Sequence, residues 1–221
     1  MQKGQTKDFS WDSYFKREKK SFFQKLLSFH RRVFIAPSLK YYCDKYFSQE
    51  GLFLEAGAGT SQSSALLKSS KRKLIALDLN HYVLTEHNLL DYKVQANILS
   101  LPFRDKCLQG IWNLGVMEHL TDDEIVKSLK EFKRVLEDEG VILLFWPPYF
   151  ALHEVLLNLF SWLSEKIFAK KFNFFPDEIN LYSNKNKLET FLDQAGLKLK
   201  NLHFSIRDIF SYMVVAAEKN N

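Results

Sequence analysis

A glycine loop between an apolar run and a predicted helix constrains this chain more than any other feature. Residues 52–61 read LFLEAGAGTS, and the leading apolar residues are typical of a strand buried on both faces of a parallel sheet. Gly57 and Gly59 allow a tight turn and let a ligand approach the bare backbone. We expect a helix from Ser61 to about Lys68, with its N-terminal N–H groups facing the loop.

An acidic residue follows the next apolar run in the same way. Asp78 ends the run at 74–77, so the order is strand, glycine loop, helix, strand and acid. This order is typical of a nucleotide-binding βαβ unit in which the acid accepts from ribose hydroxyls. However, Gln62 stands where a dinucleotide fingerprint needs its third glycine. Glu55 would also repel a pyrophosphate, and it suits a ligand with an amino group or a sulfonium charge.

On these residues the sequence resembles the class I S-adenosylmethionine (SAM)-dependent methyltransferases, over about 52–147. The resemblance implies an α/β fold: a Rossmann-like, seven-stranded, mostly parallel sheet with helices on both faces and an antiparallel last strand. It implies S-adenosyl-L-methionine as the cofactor. Glu55 would hold the methionyl amino group, Gly57 and Gly59 would contact the cofactor through their backbone, and Asp78 would bind the ribose diol.

Further cofactor contacts are implied by the later motifs. Leu79 and Ile98 would enclose the adenine, and Asn97 stands where the family usually has an acid that accepts from the adenine amino group. An amide carbonyl can also accept this hydrogen bond. Asn113 or Leu114, at the end of the fourth predicted strand, would face the methionyl end.

A histidine after the fourth strand is the predicted catalytic residue. The string at 116–120, VMEHL, is similar to the fourth motif of the ubiquinone-biosynthesis-like methyltransferases. His119 is the expected general base because imidazole titrates near neutrality, and Glu118 is the alternative. His119 could instead only order the loop before the capping box of Thr121 and Glu124. We expect no metal, because the six histidines are scattered and no cysteine pair has ligand spacing.

Charge and apolar content divide the chain into two predicted parts. Residues 1–48 are predicted to form a basic helical N-terminal arm, since residues 1–50 hold eleven Lys and Arg against five Asp and Glu. Residues 49–221 would form the methyltransferase domain, with an apolar helical lid insertion at about 149–180. The arm either contacts a membrane surface or an acidic substrate, or packs on the core. His153 in the lid either contacts substrate or is a surface histidine.

The expected location follows from what the sequence lacks. No apolar run reaches the ~18 residues of a membrane span, and no signal peptide is evident. Two cysteines far apart indicate a reducing compartment. We therefore expect a cytoplasmic protein that is either free of the membrane or peripheral to it through the basic arm.

The predicted function is methyl transfer to a small or lipid-like acceptor by in-line displacement. One alternative is a nucleic-acid (RNA) methyltransferase that uses the basic arm as its electrostatic footprint, although no N-P-P-Y string follows the fourth strand. The other is a non-enzymatic protein with a methyltransferase fold. The sequence leaves the acceptor, the methylated atom and the oligomeric state open.

Overall fold

The computed structural model describes residues 28–69, 71–86, 89–151 and 178–220. Most of the predicted arm (1–27) and lid (152–177), including His153, lies outside the described residues. Within the described ranges, no helix is long and apolar enough to span a bilayer.

The described residues form seven strands and four α-helices. The strands are β1 (Gly51–Ala56), β2 (Arg72–Asp78), β3 (Tyr92–Gln95), β4 (Leu108–Leu114), β5 (Leu136–Trp146), β6 (Leu197–His203) and β7 (Met213–Lys219). The α-helices are α1 (Ala36–Tyr46), α2 (His81–Glu86), α3 (Asp122–Val135) and α4 (Lys185–Ala195). A π-helical turn, Arg31–Ile35, leads directly into α1.

The strands make one sheet in the order β3-β2-β1-β4-β5-β7-β6. Strands β1 to β5 pair in parallel, and β7 runs antiparallel to both β5 and β6. This confirms the expected mostly parallel, Rossmann-like sheet with a reversed last strand. The strand order changes direction between β1 and β4, and the carboxyl edge at such a point is where open α/β sheets bind ligands.

The core lies on both faces of the sheet because neighbouring strand residues point to opposite sides. Leu54 and Ile111 pack with Phe132 of α3 on one face. Phe53 and Trp112 pack with α1 on the other face, where Leu39, Tyr42 and Cys43 are buried. The described part of the predicted arm therefore packs on the sheet.

The predicted helix at 61–68 is wrong. A single 3-10 turn, Ser64–Leu67, follows the glycine loop, and its N-cap residue makes no side-chain cap. Ser61 has φ +51°, a left-handed conformation that cannot begin a right-handed helix. The capping box is confirmed: Thr121 accepts from the backbone of Glu124, and Glu124 accepts from Thr121 N at 2.9 Å.

Candidate functional site

A cavity of about 620 Å³ lies at the carboxyl edge of β1, β2 and β4. Its walls come from the loops after these strands, from the start of the segment before α1, and from residues near the chain's carboxyl end. The predicted site residues that line it are Glu55, Gly57, Gly59, Asp78, Leu79, Asn97, Ile98, Leu114 and His119. One cavity thus brings together residues from four separate segments of the sequence.

Glu55 is a buried carboxylate at the base of this cavity, with only 3% of its surface exposed. The Ser64 hydroxyl donates to Oε1 at 2.6 Å and itself accepts from Trp112 Nε1 at 3.2 Å. Within the described residues, no donor meets Oε2 in hydrogen-bonding geometry. Burial raises the pKa of Glu55 to about 7, although hydroxyls of Ser61 and Ser64 lower it in part. A bound ammonium would supply both the missing donor and the missing charge.

The glycine loop is tied to the end of β2. The N–H groups of Gly57 and Ala58 donate to the Leu77 carbonyl at 2.8 and 2.9 Å. Gly57 has φ +76°, and a Cβ there would lie 2.4 Å from Val116 Cγ2. A side chain at this position would be strained in its backbone and would collide with the loop after β4.

Asp78 connects the two loops that frame the cavity. Its Oδ2 accepts from Gly59 N and its Oδ1 accepts from Asn80 N, each at 2.8 Å. A carboxylate offers about four acceptor positions, so each oxygen keeps one for another donor. The side chain is partly exposed on the cavity wall, which suits the predicted contact with two ribose hydroxyls.

The predicted adenine end carries two apolar side chains and an amide. Leu79 is 67% exposed, whereas Ile98 is buried. Asn97 Oδ1 accepts from Leu99 N at 2.9 Å, which uses one lone pair of the carbonyl and leaves the second for an amino group.

Asn113 is fully buried and is not part of the described cavity lining. Its Nδ2 donates to the Ala56 carbonyl at 2.8 Å, which fastens β4 to β1 beneath the glycine loop. The next residue, Leu114, does reach the cavity. The side chain of Asn113 therefore supports the site, and its predicted contact with the cofactor stays a prediction.

The other end of the cavity combines His119 with residues that the motifs did not reveal. His119 Nε2 lies 4.0 Å from Glu118 Oε1. Glu178 joins the lining from the last residues of the predicted lid, Arg31 from the π-helical turn and Tyr212 from the residue before β7. Burial raises the pKa of the Tyr212 hydroxyl far above its ordinary value, so this group stays protonated. These three residues lie far from any recognisable motif, and no local signal predicts their position.

The fold and the position of the cavity resemble those of nucleotide-binding α/β domains, and the acidic glycine loop suits a cationic ligand. Residues 54–144 match the family model described as a methyltransferase domain. A probable S-adenosylmethionine-dependent methyltransferase of Mycobacterium tuberculosis is 30% identical over 98 residues, 42% of this chain and 35% of that protein. The chain spans less than half the length of the curated relatives it matches.

Solved structures share the fold. Magnesium protoporphyrin IX methyltransferase from Synechocystis, solved with bound SAH, superimposes with a TM-score of 0.62 at 15% identity, over 95% of this chain and 92% of that one. A 1,6-didemethyltoxoflavin-N1-methyltransferase from Burkholderia thailandensis gives a TM-score of 0.57 at 14% identity, over 87% and 79%. The chain thus has the fold of these methyltransferases, and its residues 54–144 are similar in sequence to a methyltransferase domain.

The residues present fit SAM, the cofactor on which the Mycobacterium tuberculosis relative is named as dependent. Glu55 is one of the residues that line a cavity large enough for a nucleoside and an acceptor, since ligand cavities usually measure roughly 300–1,000 Å³. Its Oε2 atom has no hydrogen-bond donor within the described residues.

Proposed function

We propose that this protein transfers the methyl group of SAM to a small-molecule acceptor. The observation that carries the proposal is the buried Glu55 carboxylate, which lines the same cavity as Asp78 and the glycine loop and has one oxygen without a hydrogen-bond donor among the described residues. Two structural neighbours are named for small heterocyclic acceptors, a porphyrin and a toxoflavin precursor, which supports an acceptor of similar size.

Each end of the cofactor would meet a group suited to it. Glu55 would bind the methionyl amino group, because a cation restores the charge balance that burial of the carboxylate disturbs. Asp78 would accept from the ribose hydroxyls while its two backbone hydrogen bonds hold it in place. Leu79 and Ile98 would cover the adenine faces. When bound, the cofactor supplies a methyl group already activated by its sulfonium.

The protein's main task is then to orient the two reactants for an in-line displacement. Positioning alone can account for a large part of the rate of a bimolecular step. The end of the cavity with His119, Tyr212 and Ile35 is where the acceptor would lie. His119 would act on the acceptor there, and its role as proton acceptor remains a prediction. The lipid-like character of the acceptor is predicted from the Phe and Leu content of the lid and the arm, and most of both segments lies outside the described residues.

The test is transfer of labelled methyl groups from SAM to a fractionated cell extract. We expect label in the low-molecular-weight fraction with the wild-type protein. Asp78→Asn should reduce it at least about tenfold, because a hydrogen bond to a charged group contributes about 1.5–3 kcal/mol. Asp193→Asn, at an exposed position of α4, is the matched control and should transfer normally. Label confined to RNA would favour the nucleic-acid alternative, and no label in any fraction would contradict the proposal.

A further inference from the structure

We propose that Ser64 and Trp112 are positioning residues for Glu55, the carboxylate that the proposed function assigns to the methionyl amino group of SAM. Neither residue belongs to the described lining of the cavity, so both would act on a ligand only through Glu55. The inference rests on the proposed function for the identity of that ligand. The state of the Glu55 carboxyl, however, can be measured without any ligand.

The three side chains form one chain of hydrogen bonds with a fixed direction. Trp112 Nε1 donates to Ser64 Oγ at 3.2 Å, and the Ser64 hydroxyl donates to Glu55 Oε1 at 2.6 Å. An indole N–H can only donate, and an ionised carboxylate can only accept. The Ser64 hydroxyl therefore has to accept from the indole, and its single proton points at Glu55.

The backbone places each member of this chain next to its partner. Glu55 and Trp112 face each other in the parallel ladder between β1 and β4. The Ser64 N–H donates to the Ser61 carbonyl at 3.0 Å, which holds the 3-10 turn that carries the hydroxyl. All three side chains are buried, and the Trp112 ring packs against Phe47 with 6.3 Å between the ring centroids. The hydroxyl and the indole N–H are thus in place before a ligand binds.

These donors favour the charged form of Glu55. Burial raises the pKa of Glu55 to about 7. The Ser64 hydroxyl and the Trp112 indole lower this pKa in part, as does the hydroxyl of Ser61. Without them the carboxyl would stay neutral to a higher pH, and a neutral carboxyl attracts an ammonium group only weakly.

Two further titratable groups lie near Glu55. The charge of Asp78, at the end of β2, raises the pKa of Glu55. Cys43 packs on the same face of the sheet from α1 and stays a neutral thiol, because burial raises its pKa well above its ordinary value. Neither group favours a charged Glu55, so the hydroxyl and indole donors oppose both burial and Asp78.

The same chain determines which carboxylate oxygen is left for a ligand. Ser64 engages Oε1 of Glu55, whereas Oε2 has no hydrogen-bond donor within the described residues. Loss of the Ser64 hydroxyl would make the two oxygens equivalent and would free the carboxylate to rotate. We therefore expect Ser64 and Trp112 to contribute to the affinity for an ammonium that they do not contact.

The first measurement is the pKa of Glu55 in the ligand-free full chain. It is followed by NMR of the side-chain carboxyl carbon across pH, with Glu55→Gln to identify the signal. Ser64→Ala should raise this pKa by about one unit, because a hydrogen bond to a charged group changes such an equilibrium at least about tenfold. Trp112→Phe should raise it by less, since the Ser64 hydroxyl still donates. Ser64→Thr keeps the hydroxyl and should return the pKa close to the wild-type value.

The second measurement is the affinity for SAM as a function of pH, by calorimetry. With a wild-type pKa of about 7 and a value about one unit higher in Ser64→Ala, the ionised fractions of Glu55 differ most at low pH. The ratio of wild-type to variant affinity should therefore fall about sixfold from pH 6.5 to pH 8.5. Titration of the SAM amino group cancels in this ratio, because both proteins bind the same ligand. A merely structural loss would weaken binding by the same factor at every pH.

Ser128→Ala is the matched control. Ser128 is as buried as Ser64, its hydroxyl donates to the Ile125 carbonyl at 2.8 Å within α3, and it lies outside the described cavity lining. This variant should change neither the pKa of Glu55 nor the pH dependence of SAM binding.

The positioning role and the proposed function fail separately. An unchanged Glu55 pKa in Ser64→Ala overturns the positioning role, and so does a ratio of SAM affinities that is the same at every pH. Where the pKa shifts as expected but the wild type binds no SAM, only the proposed function is contradicted. Ser64→Ala removes a single hydroxyl, so it decides the question even where Trp112→Phe fails to fold.

Discussion

Replacement of Glu55 by Gln should make the unliganded protein less sensitive to pH while it weakens SAM binding. The wild-type carboxyl has a folded-state pKa of about 7, raised by burial from its ordinary value of 4.5. A raised pKa means that folding favours the protonated form. The contribution to stability is then complete below pH 4.5 and is lost as the pH rises through 7.

The magnitude follows from these two values. Between pH 5 and pH 8 the ionisation of Glu55 should cost about 2–3 kcal/mol of unfolding free energy. For a chain of this length that corresponds to a change of roughly 4–12 °C in Tm. Gln retains the acceptor for the Ser64 hydroxyl but adds an unpaired N–H group, a cost that does not depend on pH. Asp208, whose burial raises its pKa to about 6, contributes equally in both proteins.

The assay is denaturant unfolding of both proteins at a series of pH values without ligand. The difference between the two free energies of unfolding should change by about 2–3 kcal/mol from pH 5 to pH 8, in favour of Glu55→Gln at the higher pH. SAM should bind this variant about 10- to 100-fold more weakly at pH 7.5, because a charge-assisted hydrogen bond is lost. Free energies of unfolding that change equally with pH in both proteins would refute the argument that Glu55 is a buried carboxylate that binds a cation. An unchanged SAM affinity would refute it as well.

Three further substitutions probe the loop, the acceptor end and the scaffold. Gly57→Ala should weaken SAM binding at least about tenfold in calorimetry, because its φ is +76° and the new Cβ would meet Val116 at 2.4 Å; normal affinity would show that the loop adapts. His119→Gln should lower methyl transfer at least about tenfold and leave SAM affinity within about twofold, because loss of a proton acceptor affects the reaction step and not cofactor binding. A parallel loss of SAM affinity would place His119 in the cofactor site. Thr121→Ala should cost about 1 kcal/mol of unfolding free energy with SAM affinity unchanged, because it removes the capping box with Glu124; equal stability would mean that the cap is not formed in solution.

The strand and acid pattern was enough to predict the sheet and that Glu55, Gly57, Gly59 and Asp78 meet at one edge of it. Apolar runs followed by Glu55 and Asp78 identify parallel strands, and parallel strands bring their carboxyl ends to one edge. The helix after the glycine loop was not predictable in this way. The preference of Ser for helix N-caps is local and does not decide the conformation of the folded loop. Here Ser61 adopts a left-handed conformation, so no helix begins at this residue.

The acceptor end could be predicted only in part. His119 follows a strand end and can be found from sequence, but Glu178 and Tyr212 reach the cavity through long-range packing. Asn113 was also predicted at the site, and its buried side chain fastens β4 to the Ala56 carbonyl, so its contact with the cofactor stays a prediction. The position of a residue in a strand specifies the edge of the sheet at which it lies. It does not specify whether the side chain points into the cavity or hydrogen-bonds to a neighbouring strand.

The most direct test of the account is calorimetric titration of the full chain with SAM and, as a comparison, with NAD⁺. The acidic glycine loop predicts 1:1 binding of SAM in the micromolar range and no measurable binding of NAD⁺, because the Glu55 carboxylate attracts an ammonium and repels a pyrophosphate. Binding of NAD⁺ with equal or greater affinity, or no binding of SAM by a folded protein, would contradict the central claim.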